Sequence, residues 1–502
     1  MKSGSTALRI ALLPLDERPV NITLPRQIAA IAGAELLLPP RRMLPDLRQP
    51  GRTDDLGAWL EAVAGEVDAV VVSIDMLCYG GLIAGRTSAD PLSAALGRLD
   101  ALRRVRTRHP KLPLAAVSLV MRASDSYNPQ EEPDYWARHG RELHRLGALH
   151  HQVFAGVAGA DADLARLRAA LPADIVADFE RRRLRNHQIN LAALSLAADR
   201  VLDTLLITAD DTAEYSAGSL EQVWLAQWAA TLPPGGEVLM YPGADEVAAI
   251  LVARQLGALP GATARLAVEC ADPAGLQRIA NYENSPLAVA IERQVKASGG
   301  VVAADRDAMA LLIHAPDPRR RDLCGQVPQF DDADRAEAEK TADLAASLIA
   351  AGREVALADV RYSNGGDPLL IEALRQRGVL LELVAYGGWN TAGNALGSVV
   401  AAAAAIQAGR AAGTYDAAAA RRLLLHRLIE DYGYQALLRR PYNAGILTFD
   451  AAAERVAVGE VGAGLNDVLQ EITGKDTLTV RDVSFPWHRS FEIDLAIAGD
   501  LR

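Results

Sequence analysis

Short apolar runs alternate with longer amphipathic stretches along most of the chain. The apolar runs are rich in Leu, Ile and Val and are bounded by Pro, Gly or Asp, which is typical of buried strands. The predicted strands are residues 9–13, 35–38, 69–74, 113–120, 152–155, 204–208, 237–241, 264–268, 309–313, 354–359 and 380–385. Helical periodicity covers residues 54–64, 91–108, 133–149, 161–171, 191–201, 219–230, 246–256, 334–351, 368–377 and 391–408. This alternation predicts mainly parallel sheet with helices packed on its faces.

The number of predicted strands exceeds what one eight-stranded barrel uses. We therefore expect a (β/α)8-type barrel with an additional smaller α/β domain and a C-terminal β-containing segment, and two doubly wound α/β domains are the alternative. The expected division is an N-terminal α/β catalytic region at 1–300, a second α/β region at 301–410 that contributes strand-end loops, and a helical and β-containing segment at 411–502. Within the last segment, residues 445–449, 477–480 and 491–495 have strand character.

Two adjacent carboxylates, Asp210 and Asp211, follow the predicted strand at 204–208. Ligands of α/β proteins bind at the C-terminal ends of parallel strands, so these side chains are placed for chemistry. Neighbouring carboxylates repel, and one pKa is expected to rise while the other stays low. The pair is thus predicted to supply both an acid and a base.

Further charged clusters follow other predicted strands. Asp16, Glu17 and Arg18 come after the first strand, where they predict either an exposed loop with an internal ion pair or a site for substrate hydroxyl groups. Asp75, Tyr79, Arg122, Asp245 and Glu246 are the other candidates for substrate binding in the first half of the chain. One acid of the last pair is expected to cap the helix that follows, because acids suit helix N-termini.

In the second half of the chain, a polar segment closes the predicted strand at 354–359. Its Asn-Gly-Gly-Asp-Pro sequence predicts a turn followed by a helix with Pro at the first position. A turn accounts for Asp367 as a cap but does not account for Asp359 and Asn364. Asn364 and Asp367 are candidates for substrate binding. His314 ends another predicted strand, where a lone histidine is more often structural than a ligand.

Trp389, Asn390 and Asn394 follow the last strongly predicted strand. An exposed Trp flanked by amides suits a sugar, because the ring stacks on C–H faces while the amides bond to hydroxyl groups. The alternative is a Trp packed under its own loop, with Asn390 as the helix N-cap.

The net charge and the motifs that the sequence lacks exclude several classes of function. The formal net charge of −11 argues against nucleic-acid and membrane-surface partners, and no apolar window approaches the length of a transmembrane helix. Three widely spaced cysteines indicate a reducing compartment. We therefore expect a cytoplasmic protein of bacterial type. The sequence lacks the phosphate-binding glycine loops, the His-Glu-x-x-His motif and the Gly-x-Ser-x-Gly motif. The expected partner is therefore a small-molecule or oligosaccharide substrate, and no cofactor is predicted.

Several of these segments together resemble a bacterial family known as domain of unknown function 4127 (DUF4127). The likeness includes the opening Leu-Pro-Leu-Asp-Glu-Arg-Pro-Val-Asn at 13–21 and the ending Ser-Phe-Pro-Trp-His-Arg at 484–489. The other segments that carry it are 73–81, 210–211, 243–246, 364–367 and 388–394. It spans nearly the whole chain, which implies one complete protein, and it implies no activity.

A weaker, site-level likeness concerns the O-GlcNAcase-type hexosaminidases. They resemble this chain in a strand that ends in Asp-Asp and a later strand that ends with Trp and Asn. The resemblance implies that Asp210 orients the substrate's acetamido group, that Asp211 is the general acid, and that Trp389 and Asn390 contact the sugar.

Three hypotheses follow from these observations. The first is a glycoside hydrolase that uses carboxylate acid/base catalysis, in which Asp211→Asn abolishes turnover. The second is a metal-dependent hydrolase or lyase in which acidic and histidine side chains hold a divalent metal ion. Its candidate ligands are Asp210, Asp245, His314 and Asp359. The third is a non-catalytic sugar-binding protein.

Overall fold

The computed structural model describes residues 7–210, 212–232, 235–258, 261–305, 307–324, 329–443 and 448–501. The strands of the first sheet are β1 (Arg9–Leu13), β2 (Glu35–Leu37), β3 (Ala69–Ser73), β4 (Leu114–Val120), β5 (Thr204–Ala209) and β6 (Glu237–Pro242). The strands of the second sheet are β7 (Arg265–Cys270), β8 (Val301–Val302), β9 (Met309–His314), β10 (Val355–Asp359) and β11 (Ala385–Gly387), and a separate hairpin contains β12 (Thr479–Ser484) and β13 (Asp494–Ala498). The helices in the first half are α1 (Pro19–Ile31), α2 (Thr53–Val63), α3 (Ile74–Tyr79), α4 (Leu82–Thr87), α5 (Leu92–Arg98), α6 (Asp100–Arg108), α7 (Trp136–Phe154), α8 (Ala160–Ala170), α9 (Ala173–Ala198), α10 (Ala217–Thr231) and α11 (Val247–Leu256). Those in the second half are α12 (Leu287–Ala297), α13 (Asp332–Ala350), α14 (Pro368–Gln376), α15 (Ala392–Ala412), α16 (Ala417–Arg427) and α17 (Ala451–Thr473), with a π-helical segment at Leu428–Leu438.

Both large sheets are entirely parallel. The first has the strand order β2-β1-β3-β4-β5-β6, and the second has the order β11-β10-β9-β7-β8. Neither sheet closes on itself across the described ranges, so the expected (β/α)8 barrel is not confirmed. The two separate parallel sheets agree instead with the alternative of two open α/β units.

Helices cover both faces of both sheets. One apolar cluster joins Leu12 of the first sheet and Leu311 of the second to α1, α11, α12 and α15, which therefore lie between the sheets. The outer face of the first sheet packs on α2, α6 and α9. The outer face of the second sheet shares an apolar cluster with α13 and α14, and this cluster continues to α17, which packs on β12 and on the π-helical segment. Burial on both faces explains why the central strands are almost continuously apolar.

Helix α15 is the centre of the layer between the sheets. It is long and apolar enough to cross a membrane, but 78% of its apolar window is buried inside the protein. Its run of alanines allows close packing against α11 and the second sheet. These contacts are typical of the core helix of a layered α/β protein.

Most predicted elements are confirmed, and the exceptions have local causes. Residues 152–155 are not a strand, because they continue and end α7 with no turn residue before them. Residues 380–382 form a 3-10 turn, so the strand predicted at 380–385 is limited to β11. Of the predicted strand at 445–449, residues 445–447 lie outside the described residues.

Candidate functional site

A cleft of about 1190 Å³ lies at the carboxyl ends of the two sheets. Its walls come largely from the segments that follow β5, β7 and β9. Its polar lining residues are His151, Thr212, Glu214, Ser219, Arg278, Asn281, Tyr282, Glu283, Asn284, Asp317, Arg320 and Asp322. Strands β7 and β9 are neighbours where the strand order of the second sheet reverses. Crevices at such reversals are the usual ligand sites of open α/β sheets.

Hydrogen bonds across the cleft join the two halves of the protein. Thr212, which follows β5, donates from its backbone N and from Oγ1 to the carbonyl oxygen of Tyr282, which follows β7, at 3.0 and 3.1 Å. The next residue, Glu283, accepts from the backbone N of Gly393 at 2.9 Å. The cleft therefore has walls that are held at fixed positions relative to both sheets.

Strained backbone is concentrated around the second-sheet side of the cleft. Tyr282, Arg320, Asn364 and Asn390 all have positive φ angles, between 54 and 65°. The N–H of Asn364 donates to the carbonyl oxygen of Asn390, and its amide Nδ2 donates to both oxygens of Asp322, at 2.7 to 3.0 Å. Such conformations persist only where the surrounding structure enforces them, and they are common at binding sites.

Arg18 is the centre of a buried charge cluster at the carboxyl ends of the strands of the first sheet. Its side chain is 3% exposed. It contacts Asp16 at 2.7 Å, Asp245 at 2.5 Å and Glu492 at 3.5 Å. These partners come from the loop after β1, the loop after β6 and the C-terminal segment, so one guanidinium group connects three distant parts of the chain.

Arg86 organises the neighbouring half of the cluster. It contacts Asp210, at the end of β5, at 2.5 Å and Glu131 at 2.9 Å. Arg122 shares Glu131 at 2.9 Å and lies 3.6 Å from Glu132. The carboxylate of Asp210 is thus held by a guanidinium group that is itself fixed by buried acids.

The C-terminal strap, which we define as residues 486–492, connects the Arg18 and Arg86 halves of this charge cluster. The guanidinium groups of Arg18 and Arg489 lie over the ring of Trp487, 4.7 and 4.4 Å from its centre, and Nε1 of Trp487 donates to Glu17 at 2.6 Å. Arg489 pairs with Glu131 and lies 3.6 Å from Glu492. We call the whole set the arginine–carboxylate network. Its members are Asp16, Arg18, Arg86, Arg122, Glu131, Glu132, Asp210, Asp245, Arg489 and Glu492.

The opening and closing motifs singled out in the sequence therefore meet in space at Arg18 and Trp487. A family model described as "Protein of unknown function (DUF4127)" matches residues 10–496, nearly the whole chain. The chain belongs to the DUF4127 family. No curated protein and no solved structure matches it.

Burial and the excess of carboxyl groups raise the pKa values of several acids of this DUF4127 chain. The network contains more carboxyl groups than guanidinium groups. Burial raises the pKa of Asp245, and Asp16 and Asp210 raise it further, against the opposing effect of Arg18. Burial likewise raises the pKa of Glu492 to about 7. The network can therefore hold protons as well as negative charge near neutral pH.

Two other predicted site residues of the first half have structural partners. Burial raises the pKa of Asp75 to about 7, and its Oδ2 accepts from the backbone N of Leu119 at 3.0 Å. Tyr79 is buried below the guanidinium group of Arg185, at 4.7 Å. Neither residue lines the cleft, and both support the segment that carries Arg86.

Glu246 lies beneath the cleft, against α12 and α15. Its carboxyl group is fully buried and accepts from the backbone N of Ala244 at 3.2 Å and from Nε2 of Gln294 at 3.4 Å. Burial raises its pKa from an ordinary value of 4.5 to about 8. The residue next to Asp245 in sequence is thus a buried, protonated acid, and it is distinct from the paired acids of the network.

This burial predicts a pH-dependent contribution to stability. Because the folded-state pKa of Glu246 exceeds the unfolded value, the folded protein keeps a proton that the unfolded chain loses between pH 4.5 and 8. Stability falls as pH rises through this window, by at most about 1.4 kcal/mol per unit. Urea denaturation of Glu246→Gln is expected to show a gain over wild type that grows from pH 5 to pH 8. The exposed control Glu292→Gln should show no such trend, and a pH-independent difference for Glu246→Gln would contradict the prediction.

A second buried polar cluster occupies the carboxyl ends of β9 to β11. His314 contacts Asp367 at 3.0 Å and Thr341 at 2.9 Å. Asp359 accepts from the backbone N of Asp367 at 2.7 Å and from the hydroxyl of Tyr386 at 3.1 Å. Asp367 caps α14, as its position before Pro predicts. Every one of these groups is buried, so the cluster supports the loops above it.

The expectation of an exposed Trp at the end of β11 is wrong. Trp389 is 3% exposed and packs edge-on against Phe491, in the apolar layer between the sheets. The N-cap of α15 is Thr391 and not Asn390, and Asn394 is buried in the first turn of that helix. Asp211, the predicted general acid, lies outside the described residues.

The candidate metal ligands do not converge. Asp210 and Asp245 belong to the arginine–carboxylate network, whereas His314 and Asp359 belong to the second buried cluster. Over the ranges that the structure describes, no group of three or more His, Cys, Asp or Glu side chains is arranged to hold a metal ion.

Several residues of the site are not among those predicted from the sequence. Glu131 and Glu132 are adjacent acids after β4, a signal equivalent to the Asp210–Asp211 pair. Arg489 stands in the closing motif, but nothing in the sequence connects it with Glu131, 358 residues earlier. Contacts of this separation depend on the tertiary fold.

Proposed function

We propose that this protein is a hydrolase that acts on a carbohydrate by carboxylate acid/base catalysis. The observation that carries the proposal is a pair of acids, Asp210 and Asp245, at the carboxyl ends of the neighbouring strands β5 and β6. Ala209 and Pro242 are paired in register, so the two loops leave the sheet side by side. Each acid has its own buried arginine, Arg86 or Arg18. Two acids in different electrostatic surroundings are the usual equipment for glycoside hydrolysis.

The surroundings of the two acids support different roles. Asp245 is the deeper group, and burial raises its pKa, which favours the protonated form that a general acid needs. Asp210 is partly exposed, accepts from Arg86 and precedes the cleft residue Thr212 by two positions. We assign Asp210 as the base or nucleophile and Asp245 as the acid.

The cleft lining favours a neutral substrate that is rich in hydroxyl groups. It offers the amides of Asn281 and Asn284 and the hydroxyl of Ser219. Its carboxylates are Glu214, Glu283, Asp317 and Asp322, against two arginines, Arg278 and Arg320. Burial lowers the pKa of the lining His151, so it adds little positive charge at neutral pH. A lining with excess negative charge disfavours phosphorylated and other anionic substrates.

A turnover assay tests the proposal. The purified protein is incubated with a panel of 4-nitrophenyl glycosides, including the N-acetyl-β-glucosaminide, with and without EDTA. We expect nitrophenol release from at least one glycoside, at a rate that EDTA does not change. Release from no member of the panel would argue against a glycosidase. Activity that EDTA abolishes and Mg²⁺ or Mn²⁺ restores would instead support the metal-dependent alternative.

A further inference from the structure

Tyr282 presents an exposed aromatic ring inside the cleft. Its side chain is 45% exposed, although the residue lies in a lined cavity and not on a convex surface. It belongs to the loop after β7, at the reversal of strand order in the second sheet. A large ring in this place leaves apolar area uncovered where a ligand would bind.

Contacts from both halves of the protein fix this ring. The carbonyl oxygen of Tyr282 accepts two hydrogen bonds from Thr212 of the first half. Its hydroxyl donates to Asp322 of the second half at 2.9 Å. Asp322 is itself held by Nδ2 of Asn364 and by the backbone N of Cys324. The ring is therefore oriented before any ligand arrives.

The backbone of Tyr282 is in a conformation that its side chain disfavours. Its φ is +65°, in the left-handed region, where the Cβ of a non-glycine residue lies too close to the following carbonyl oxygen. Asn and Gly adopt this region more readily. A tyrosine at this position therefore lowers the stability of the folded protein relative to Asn or Gly. Backbone strain of this kind at a cleft points to a role in binding.

We infer that Tyr282 is the platform on which the substrate's sugar ring stacks. The inference rests on the proposed function and narrows its substrate to pyranosides that present an apolar C–H face. The face of the tyrosine ring suits such C–H groups, while the nearby Asn281 and Asn284 suit the hydroxyl groups at the ring edge. Tyr282 thus takes the part that the sequence suggested for Trp389.

Calorimetric binding of two saccharides, cellobiose and N,N'-diacetylchitobiose, tests this role. We expect wild type to bind at least one of them. Tyr282→Phe keeps the ring but loses the bond to Asp322 and should bind the saccharide up to about threefold more weakly, whereas Tyr282→Asn should bind it at least tenfold more weakly. The thermal midpoint of Tyr282→Asn should stay within about 2 °C of wild type, because Asn tolerates the left-handed backbone. A purely structural role predicts a lower midpoint with unchanged affinity.

Tyr127 provides a matched control. It is 44% exposed and its hydroxyl donates to a carboxylate, Glu142, but it does not line the cleft. Tyr127→Asn should bind the saccharide as wild type does. Equal affinity of Tyr282→Asn and wild type would overturn the inference and leave the proposed function standing. If binding depends on Tyr282 but no glycoside is turned over, the inference is supported and the catalytic proposal is removed. If wild type binds neither saccharide, the stacking role is overturned and the result counts against the substrate class.

Discussion

Asp210→Asn is expected to lower the turnover of a hydrolysed glycoside by about 10²- to 10⁴-fold, the range that general acid–base groups contribute. The amide cannot accept a proton or attack the substrate, yet it has nearly the shape of the carboxylate. Arg86 keeps its contact with Glu131 in the variant, so the network and the fold should persist. Initial rates at saturating substrate, together with the thermal midpoint, separate lost chemistry from lost structure.

A matched control lies at the opposite end of the same strand. Asp203 immediately precedes β5, has a side chain that is 53% exposed, pairs with Arg106 at 2.7 Å and accepts from the backbone N of Leu114 at 2.8 Å. Asp203→Asn changes the same charge at the same strand without touching the site and should keep wild-type turnover. Full activity in folded Asp210→Asn would remove Asp210 from the mechanism, and equal losses in both variants would indicate a general effect on β5.

The proposed acid gives this mechanism a defined pH dependence. Asp245 must be protonated to act, and its raised pKa extends the protonated form toward neutral pH. The rate should therefore fall as pH rises through that pKa. Asp245→Asn should be inactive toward unactivated glycosides at every pH, and it should recover some activity on substrates whose leaving group needs no protonation. Loss of activity that is equal for both kinds of leaving group would contradict this assignment.

Arg18→Met is expected to destabilise the protein by about 3 to 5 kcal/mol, the usual cost of removing one partner from a buried ion pair. The substitution leaves Asp16, Asp245 and Glu492 close together with little solvent to stabilise their charges. It also removes the cation that stacks on Trp487. Urea denaturation followed by tryptophan fluorescence and circular dichroism measures the loss.

The size of this loss should depend on pH. Arg18 opposes the rise in the pKa of Asp245 and Glu492, so without it the folded-state pKa values of these two acids lie further above their unfolded values, and stability falls more steeply as pH rises. The variant should lie closest to wild type near pH 5.5 and furthest from it near pH 8. Arg103→Met, which breaks an exposed contact with Asp199 at 3.4 Å, should cost less than about 1 kcal/mol at either pH. A similarly small, pH-independent loss for Arg18→Met would contradict the role given to the network.

Local patterns in the sequence were enough to predict most of the secondary structure. Strand periodicity and its flanking Pro, Gly and Asp located β1, β3, β5 and β9 within a residue or two, because parallel strands buried on both faces must be apolar over their whole length. The same patterns placed Asp16, Asp210 and Asp245 just beyond strand ends. Family membership was also evident from the motifs alone.

Some errors came from the same local patterns. The Val and Phe within residues 152–155 predict a strand, but these residues continue and end α7, because an exposed helix end can carry apolar side chains. The polar neighbours of Trp389 in sequence predict an exposed ring, but the ring is buried between the sheets. Burial depends on what packs against a residue from elsewhere in the chain.

The sequence by itself determined the alternation of strands and helices, the acids at the strand ends and the family. Only the tertiary structure decided that the strands form two open sheets, that each proposed catalytic acid has its own arginine, and that Trp487 contacts Glu17 across 470 residues. The physical reason is the distance along the chain over which each effect acts. Propensity and periodicity act within a few turns of chain, whereas strand order, ion pairing and burial depend on packing between segments that are distant in sequence.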